Sequence, residues 1–411
     1  MEVELRPITA DEFPEYSRVL HTVFGDVATD DSIEHWRGLT ELDRTIAVIE
    51  DGKIVATNGA FSFDLALPGA TTVPCAGVTA VGVLPTHRRR GLLRRMMAHQ
   101  LDDVAGRGEP VAVLTASESV IYPRFGYGQA AGFVSWSLAT TGVTVAHPPS
   151  PGGRIRLLDR TEAGQVLPTI YDRCWRARPG QLSRNAAFWY KTLRDPEAER
   201  DGASAFFFAV HESAHGEPDG YAMFRRKGLW EAGLPAQQVL VDAELIGVDE
   251  QVEATLWTFL LELDLVRTLK AYSRPADESF RWRLADPRRM QITYAANDHL
   301  WVRIVDVAGA LAARRYRTED RLVLELADPF RPANEGRWAV EGGPDGAVVH
   351  RTQDPADFSL GAPELGAIYL GGVAPTVLAR AGRVIEHRPG AVARADLFFG
   401  WAVAPWCAND F

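Results

Sequence analysis

The chain has 411 residues, 46% of them hydrophobic and 24% charged, with a formal net charge of -10. That length is too great for one ordinary core and predicts a globular protein of two or three domains. The acidic balance disfavours non-specific nucleic-acid binding, which needs a basic face to release counterions; no 18-residue apolar run predicts a membrane span, and the opening MEVELRPITADEF lacks the basic-then-apolar layout of a secretory leader.

In chain order, EVELRPIT alternates like an opening strand, and DEFPEYSRVLHTVFG carries apolar residues near every third or fourth position, a helical period. RTIAVIEDGKIVATNGAFSFDLAL predicts two strands joined at Asp51-Gly52, a strong hairpin signal. AGVTAVGVLP predicts a strand stopped by Pro85. A helix follows in RGLLRRMMAHQLDDVAGRG, then a strand in VAVLTAS. The Pro/Gly cluster from Ala146 to Gly153 predicts an inter-domain linker. Beyond it RIRLLDRTEAGQVLPTIYDRCWRA restarts with a strand and a helix. SAFFFAVHES, DGYAMFRRKG and QQVLVDAELIGV predict three strands, a helix opens at Asp249, and RTLKAYSR closes the series. The order repeats that of the first 145 residues and predicts a second copy of one architecture. Around Asp298 the texture changes. HLWVRIVDVAGALAARRY predicts a strand and a short helix; RLVLELADP, GRWAVEGG and GAVVHRTQ predict strands, and APELGAIYLGG and APTVLARAG helices. Tails usually fray, yet this one carries Phe398, Phe399, Trp401, Trp406 and Phe411, which predicts burial.

One short segment, LPTHRRRGLLRR, concentrates five arginines in an acidic chain. It lies where a strand ends and a helix begins. Unsatisfied backbone N–H groups and the helix dipole favour an anion there, and cations alone are disfavoured. Gly91 lets backbone approach a phosphate, and arginines add charge-assisted bonds. A diphosphate ester is the natural guest. The three cysteines, Cys75, Cys174 and Cys407, are far apart and form no CxxC, so neither disulfides nor zinc is expected and a reducing cytoplasm fits best. The histidines show no HxxxH or HExxH spacing, so no metal is expected.

AVGVLPTHRRRGLLRRMM resembles the acetyl-CoA motif of GCN5-related N-acetyltransferases, with Arg88-x-x-Gly91-x-Leu93 where that superfamily has Arg/Gln-x-x-Gly-x-Gly/Ala. Together with ASESVIYPRFGYG it resembles one branch, the enhanced-intracellular-survival (Eis) N-acetyltransferases of actinobacteria, in which leucine is usual at the last position. LWVRIVDVAGALAARRY and LGAIYLGG resemble the sterol-carrier domain that ends those chains. The resemblance implies a mixed α/β (α+β) protein. A catalytic acetyltransferase domain over 1–150 and a degenerate copy over 151–297 would precede a sterol-carrier-protein-like domain over 298–411, whose tail reaches the active site.

Acyl transfer from a thioester to an amine needs an anchored acyl donor, a polarised carbonyl, a neutral amine and a proton for the thiolate. By resemblance, Val81, Gly82 and Val83 bind the pantetheine arm of acetyl-CoA through their backbone, with the Val83 N–H polarising the thioester oxygen. Arg89, Arg90, Gly91, Leu92, Leu93 and Arg94 hold the pyrophosphate, and Ser117 and Glu118 lie beside the co-substrate. Tyr122 aligns with the general acid, Tyr127 being a packing aromatic in its turn. The base corresponds to the α-carboxylate of Phe411, acting directly, through water, or by steering alone. Asp26, Trp36 and Asp410 match positions lining the amine pocket, or are a surface Asp, a core Trp and a tail Asp. The resemblance further implies acetylation of primary amines on cationic small molecules such as aminoglycosides, direct transfer in a ternary complex, and a homohexamer. Acetylation of protein lysines or another natural amine is an alternative, as is a lipid- or sterol-binding carrier. In the second copy Asp249, Glu250 and Glu253 stand where the arginines and glycine would be needed, so no co-substrate is expected there.

Overall fold

The structure, a computed structural model, describes residues 3–242 and 244–411, without the side chains of residues 295–297. Glu2 of the expected first strand and Ala243 of the expected QQVLVDAELIGV strand lie outside the described residues. The chain forms two compact units, one of Met1–Ala131 with Asp298–Phe411, the other of Gly132–Asn297.

The first unit opens with β1 (Glu4–Arg6), α1 (Phe13–Phe24) and α2 (Asp30–Leu39). α1 buries Phe13, Tyr16, Ser17 and Val19 and stops at Gly25, whose φ of 80° is a left-handed cap. α2 has no counterpart in the sequence reading. Its apolar stripe is short, and what fixes its start is the reciprocal pairing of Thr29 and Ser32. β2 (Ile46–Glu50) and β3 (Lys53–Leu67) join at Asp51 and Gly52, both at positive φ (50° and 75°), the backbone of a tight hairpin turn. β4 (Thr71–Val83), α3 (Leu92–Gly106) and β5 (Val111–Thr115) follow as expected.

Two irregularities of β4 position the site. Its antiparallel register with β3 slips between Thr57↔Gly82 and Gly59↔Thr79, so β4 carries an extra residue there, with Ala80 at φ 55°. The Thr57 hydroxyl donates to the Ala80 carbonyl at 2.8 Å and holds the bulge. On its other edge β4 pairs with β5 in parallel only from Cys75↔Val111 to Gly77↔Val113, and beyond Gly77 it runs on to Val83 without that neighbour. The strands fork.

The second unit contains most of β6 (Gly128–Ala139), then β7 (Arg154–Leu158), α4 (Arg160–Cys174), α5 (Ala186–Leu193), β8 (Phe207–Glu212) and β9 (Pro218–Lys227). A small hairpin, β10 (Trp230–Glu231) and β11 (Leu234–Pro235), precedes β12 (Gln237–Asp242), β13 (Leu245–Gly247), α6 (Glu250–Leu261) and β14 (Val266–Arg274). Apart from that hairpin and the β12–β13 division, the order from β7 to β14 repeats that from β1 to β5, with β12 and β14 parallel as β4 and β5 are. Trp136, Trp257, Leu256 and Leu269 centre its core. The single strand expected from QQVLVDAELIGV is two, both paired with β9. Between them Glu244 turns into the interior, where its carboxylate accepts from Arg184 Nη2 and the Tyr221 hydroxyl, each at 2.6 Å. The 146–153 cluster joins β6 to β7 inside this unit, and the change of unit falls at Ala131/Gly132, within a strand. Hydrogen-bond partners decide which core a strand joins: β6 from Val134 onward pairs with β14.

The chain returns to the first unit along β15 (Met290–Ile304), whose Leu300–Ile304 segment pairs antiparallel with β5. Then come α7 (Val307–Ala313), β16 (Asp320–Ala327), β17 (Gly336–Gly343), β18 (Gly346–Arg351), β19 (Phe358–Gly361), α8 (Ala362–Ile368), α9 (Pro375–Arg380), β20 (Val384–Glu386) and α10 (Ala391–Phe399). The sheet order is β18-β17-β16-β19-β20. The Arg314 guanidinium, fully buried, donates to the carbonyls of Ile368, Tyr369 and Phe399, satisfying orphan acceptors at the ends of α8 and α10. Past α10 the tail runs without regular structure. It passes so close to Gly371 and Gly372 that a Cβ there would stand 2.9 Å from Trp401 and 2.5 Å from Pro405. Trp406 and Cys407 are buried, as is Phe411 at 9% exposure. Among the described residues no helix is long and apolar enough to cross a membrane.

Candidate active site

At the start of α3, Gly91 sits at φ 77° with no side chain capping the helix, so the first N–H groups of the helix face outward. The side chains of Leu92 and Leu93 turn into the core, leaving their backbone to face a ligand. The arginines divide. Arg90 forms a two-bond fork with Glu50, Nη1 to Oε2 at 2.9 Å and Nη2 to Oε1 at 2.5 Å, and His87 Nε2 lies 3.0 Å from the same carboxylate. That fork holds Glu50 below the usual carboxylate range. Arg94 lies over the Phe330 ring at 5.1 Å. Arg88, Arg89 and Arg95 are exposed, and among the described residues no ion pair engages them. Sequence reasoning treated the run as one basic patch and missed Glu50, whose partners lie far along the chain.

At the fork, Val81 and Val83 are half-buried. Gly82 is buried against α1, where a Cβ would stand 2.8 Å from Val23. Ser117 and Glu118 are exposed just past β5. Tyr122 opens a short turn, 6% exposed, its hydroxyl pushed up to about 12 first by burial and then by the charge of Glu118. Among the described residues no hydrogen bond engages that hydroxyl. Tyr127 is fully buried with its ring 5.9 Å from that of Tyr122, edge to face, in the packing place the sequence suggested. The glycines around it have steric reasons. A Cβ on Gly126 would stand 2.4 Å from Arg303, and one on Gly128 would strike the Pro363 carbonyl.

The chain end lies in the same fork. The Phe411 ring packs edge-on against Phe63 at 5.4 Å, over Gly77, the last β4 residue paired with β5. Its terminal carboxylate oxygen accepts from the Thr115 hydroxyl at 3.2 Å. Asp410 is exposed. His299, on β15, is held below its usual pKa by burial, against the opposing charge of Asp410 and hydrogen bonds to the backbone at Asn409 and Cys407.

On the α1–α2 side of the bulge is a cavity of about 460 Å³, its open mouth included. Phe13, Tyr16, Trp36 and Phe61 wall it, with Glu41, Thr79 and Ala80. The Glu41 carboxylate accepts from the Ser62 N–H at 2.7 Å and hydroxyl at 2.6 Å, and that hydroxyl accepts in turn from Arg44 at 2.7 Å. Arg44 is itself locked to buried Glu109 by two bonds. Aromatic faces with one carboxylate suit an ammonium group. Of the residues singled out for this pocket, Trp36 lines it. Asp26 does not; its carboxylate accepts from the Val27 N–H at 2.7 Å beyond the end of α1. Glu41 and Thr115 were missed because no short motif surrounds them.

Residues 4–130 and 180–305 each match a family model described as an acetyltransferase (GNAT) domain, and 307–408 one described as a sterol carrier protein domain. Fold and matches define an N-acetyltransferase of the GNAT superfamily, an acyltransferase whose fold implies acetyl-CoA as co-substrate. An uncharacterized N-acetyltransferase of Streptomyces avermitilis is 41% identical over the whole of both chains, and the N-acetyltransferase Eis of Mycobacterium tuberculosis is 32% identical, again over the whole of both. The crystal structure of Eis1 from Mycobacterium abscessus superposes with a TM-score of 0.88 at 31% identity, covering 99% of this chain and 100% of that one. The chain belongs to the Eis family of N-acetyltransferases.

Proposed function

We propose that this chain transfers the acetyl group of acetyl-CoA directly, in a ternary complex, to primary amines of cationic multi-amine small molecules such as aminoglycosides. The observation that carries the reading is the meeting of the chain end with the β4–β5 fork, beside an aromatic cavity holding the Glu41 carboxylate.

The residues fit the co-substrate: the uncapped Gly91 turn offers backbone N–H groups and free arginines to a pyrophosphate, and the unpaired edge of β4 offers backbone groups to an amide-bearing arm. Acetyl-CoA, when bound, supplies an activated thioester. The N–H of Val83 polarises its carbonyl. Glu41 and the rings of Trp36 and Phe61 orient a second, charged ammonium of the substrate, while the reacting amine enters neutral, its proton left in solvent. The Phe411 carboxylate takes a proton from the amine as the C–N bond forms, directly or through water. Tyr122 gives its proton to the sulfur as the C–S bond breaks, and the proton on the carboxyl group restores the phenol through solvent. A free α-carboxyl has a pKa of about 3.5, so its usefulness as a base depends on burial and placement. In the second unit the matching helix start is closed by its own side chain: Asp249 accepts from the N–H groups of Gln251 and Val252 at 2.9 Å, and its charge would repel pyrophosphate. The family resemblance also supports a cytoplasmic homohexamer.

The test is thiol release from acetyl-CoA with a multi-amine aminoglycoside, on the native chain and on one extended by a short glycine run after Phe411. Turnover by the native chain alone is expected. Equal turnover removes Phe411 as base while leaving the enzyme class intact. Absence of turnover in both, with coenzyme A still bound, moves the substrate to protein lysines or another amine.

A further inference from the structure

The Phe411 carboxylate accepts from the hydroxyl of Thr115, at the last position of β5. Thr115 is fixed by its pairing with Leu300 on β15, one residue beyond which His299 binds the tail backbone. The donor therefore comes from a rigid strand, while the acceptor ends a tail with no regular structure. The Phe63 contact holds the Phe411 ring and His299 holds the tail backbone, while this hydrogen bond reaches the carboxylate itself.

We propose that Thr115 is a positioning residue: it orients the Phe411 carboxylate in the strand fork and through it sets the rate of the proton-transfer step. This inference rests on the reading of Phe411 as base. A hydroxyl donating to a carboxylate stabilises the charged form and lowers its pKa. Removing it leaves the base more readily protonated and free to swing away. The ionisable groups on the surrounding elements include Asp64 on β3, Cys75 on β4, Glu118 and Tyr122 after β5, Asp298 and His299 on β15, and Cys407 and Asp410 on the tail, with Arg44 and Glu109 paired behind Cys75. Burial pushes Cys75 and Tyr122 up, away from an acid limb, and pushes His299 down toward one.

The experiment compares Thr115→Val, which keeps the shape and removes the hydroxyl, with Thr115→Ser, which keeps the hydroxyl, in the full chain. Steady-state kinetics over pH are recorded for acetyl-CoA and a multi-amine aminoglycoside, and release of Phe411 by a carboxypeptidase is followed by mass spectrometry. For Thr115→Val, kcat is expected to fall about tenfold or more with the acetyl-CoA KM unchanged. Its acid limb should move to higher pH, and release of Phe411 should quicken. Thr115→Ser should restore all three. A His299→Gln variant should keep the limb. Parental kcat in Thr115→Val, or equal loss in Thr115→Ser, overturns the inference, as does loss of the limb with His299. Should Thr115→Val fold poorly, the serine variant and the carboxypeptidase rate still decide the matter. The two readings fail separately: if a glycine extension abolishes turnover and Thr115→Val does not, only the positioning role falls. If the extension is harmless, the base itself falls.

Discussion

Tyr122 holds its proton across the whole working range, since burial and Glu118 together push its hydroxyl up to about 12. The sign suits a donor: the group is present as the neutral phenol, and an alkaline limb of kcat below about pH 11 should not belong to it. Tyr122→Phe should lower kcat about 100-fold or more with little change in acetyl-CoA KM, in the same thiol-release assay. Phe or Tyr at this place packs equally well, so loss of fold would not explain the drop. Single residues were unevenly readable from the sequence. Tyr122 sits in a long motif whose glycines are spaced by steric need, and so it stands out. Glu41 sits in no motif. Its setting comes from Ser62, which approaches only once β3 lies beside it and which also accepts from Arg44, and no linear pattern carries that information. Within the arginine run, Arg89, Arg90 and Arg94 read alike in the sequence, while in the fold Arg90 pairs with Glu50 and Arg94 lies over Phe330.

Secondary structure was readable where one physical signal dominated. The Asp51-Gly52 turn, the Asp249 cap and the period of α3 are local and were found. α2 and α5 were not: α2 has a short apolar stripe, and both owe their starts to a side-chain cap, from Thr29 and Asn185. The division of β12 from β13 falls at Glu244, which pairs with Arg184, remote in sequence, and no local pattern marks it. The two helix starts that follow a parallel-sheet strand, at Gly91 and at Asp249, make a controlled pair. Asp249→Ala should cost about 1 kcal/mol of stability, as loss of a helix cap does, with acetyl-CoA affinity unmoved. Thermal unfolding and acetyl-CoA titration check both halves. A gain of a second acetyl-CoA site would show that the cap alone had closed the copy.

Across the molecule, the sequence indicated that the aromatic tail was buried but not how it was routed. The route depends on small contacts between distant segments. Arg314 gathers the ends of α8 and α10, and Gly371 and Gly372 leave room for Trp401 and Pro405. Gly372→Val should displace the tail. A shift of about 1 Å at the reacting centre costs about 100-fold in rate, so kcat should fall on that order while acetyl-CoA affinity holds, as measured by kinetics and titration on the same sample. The first unit is built from both ends of the chain and the second is inserted between them, a pairing of distant segments that no local pattern carries. That arrangement has a consequence for biosynthesis. β5 is complete early in translation, but the β15 segment that pairs with it and the tail that fills its fork emerge only near the end. The nascent chain must carry an unfinished sheet edge while the whole second unit is made, and that edge is closed only when the β15 segment arrives to pair with β5.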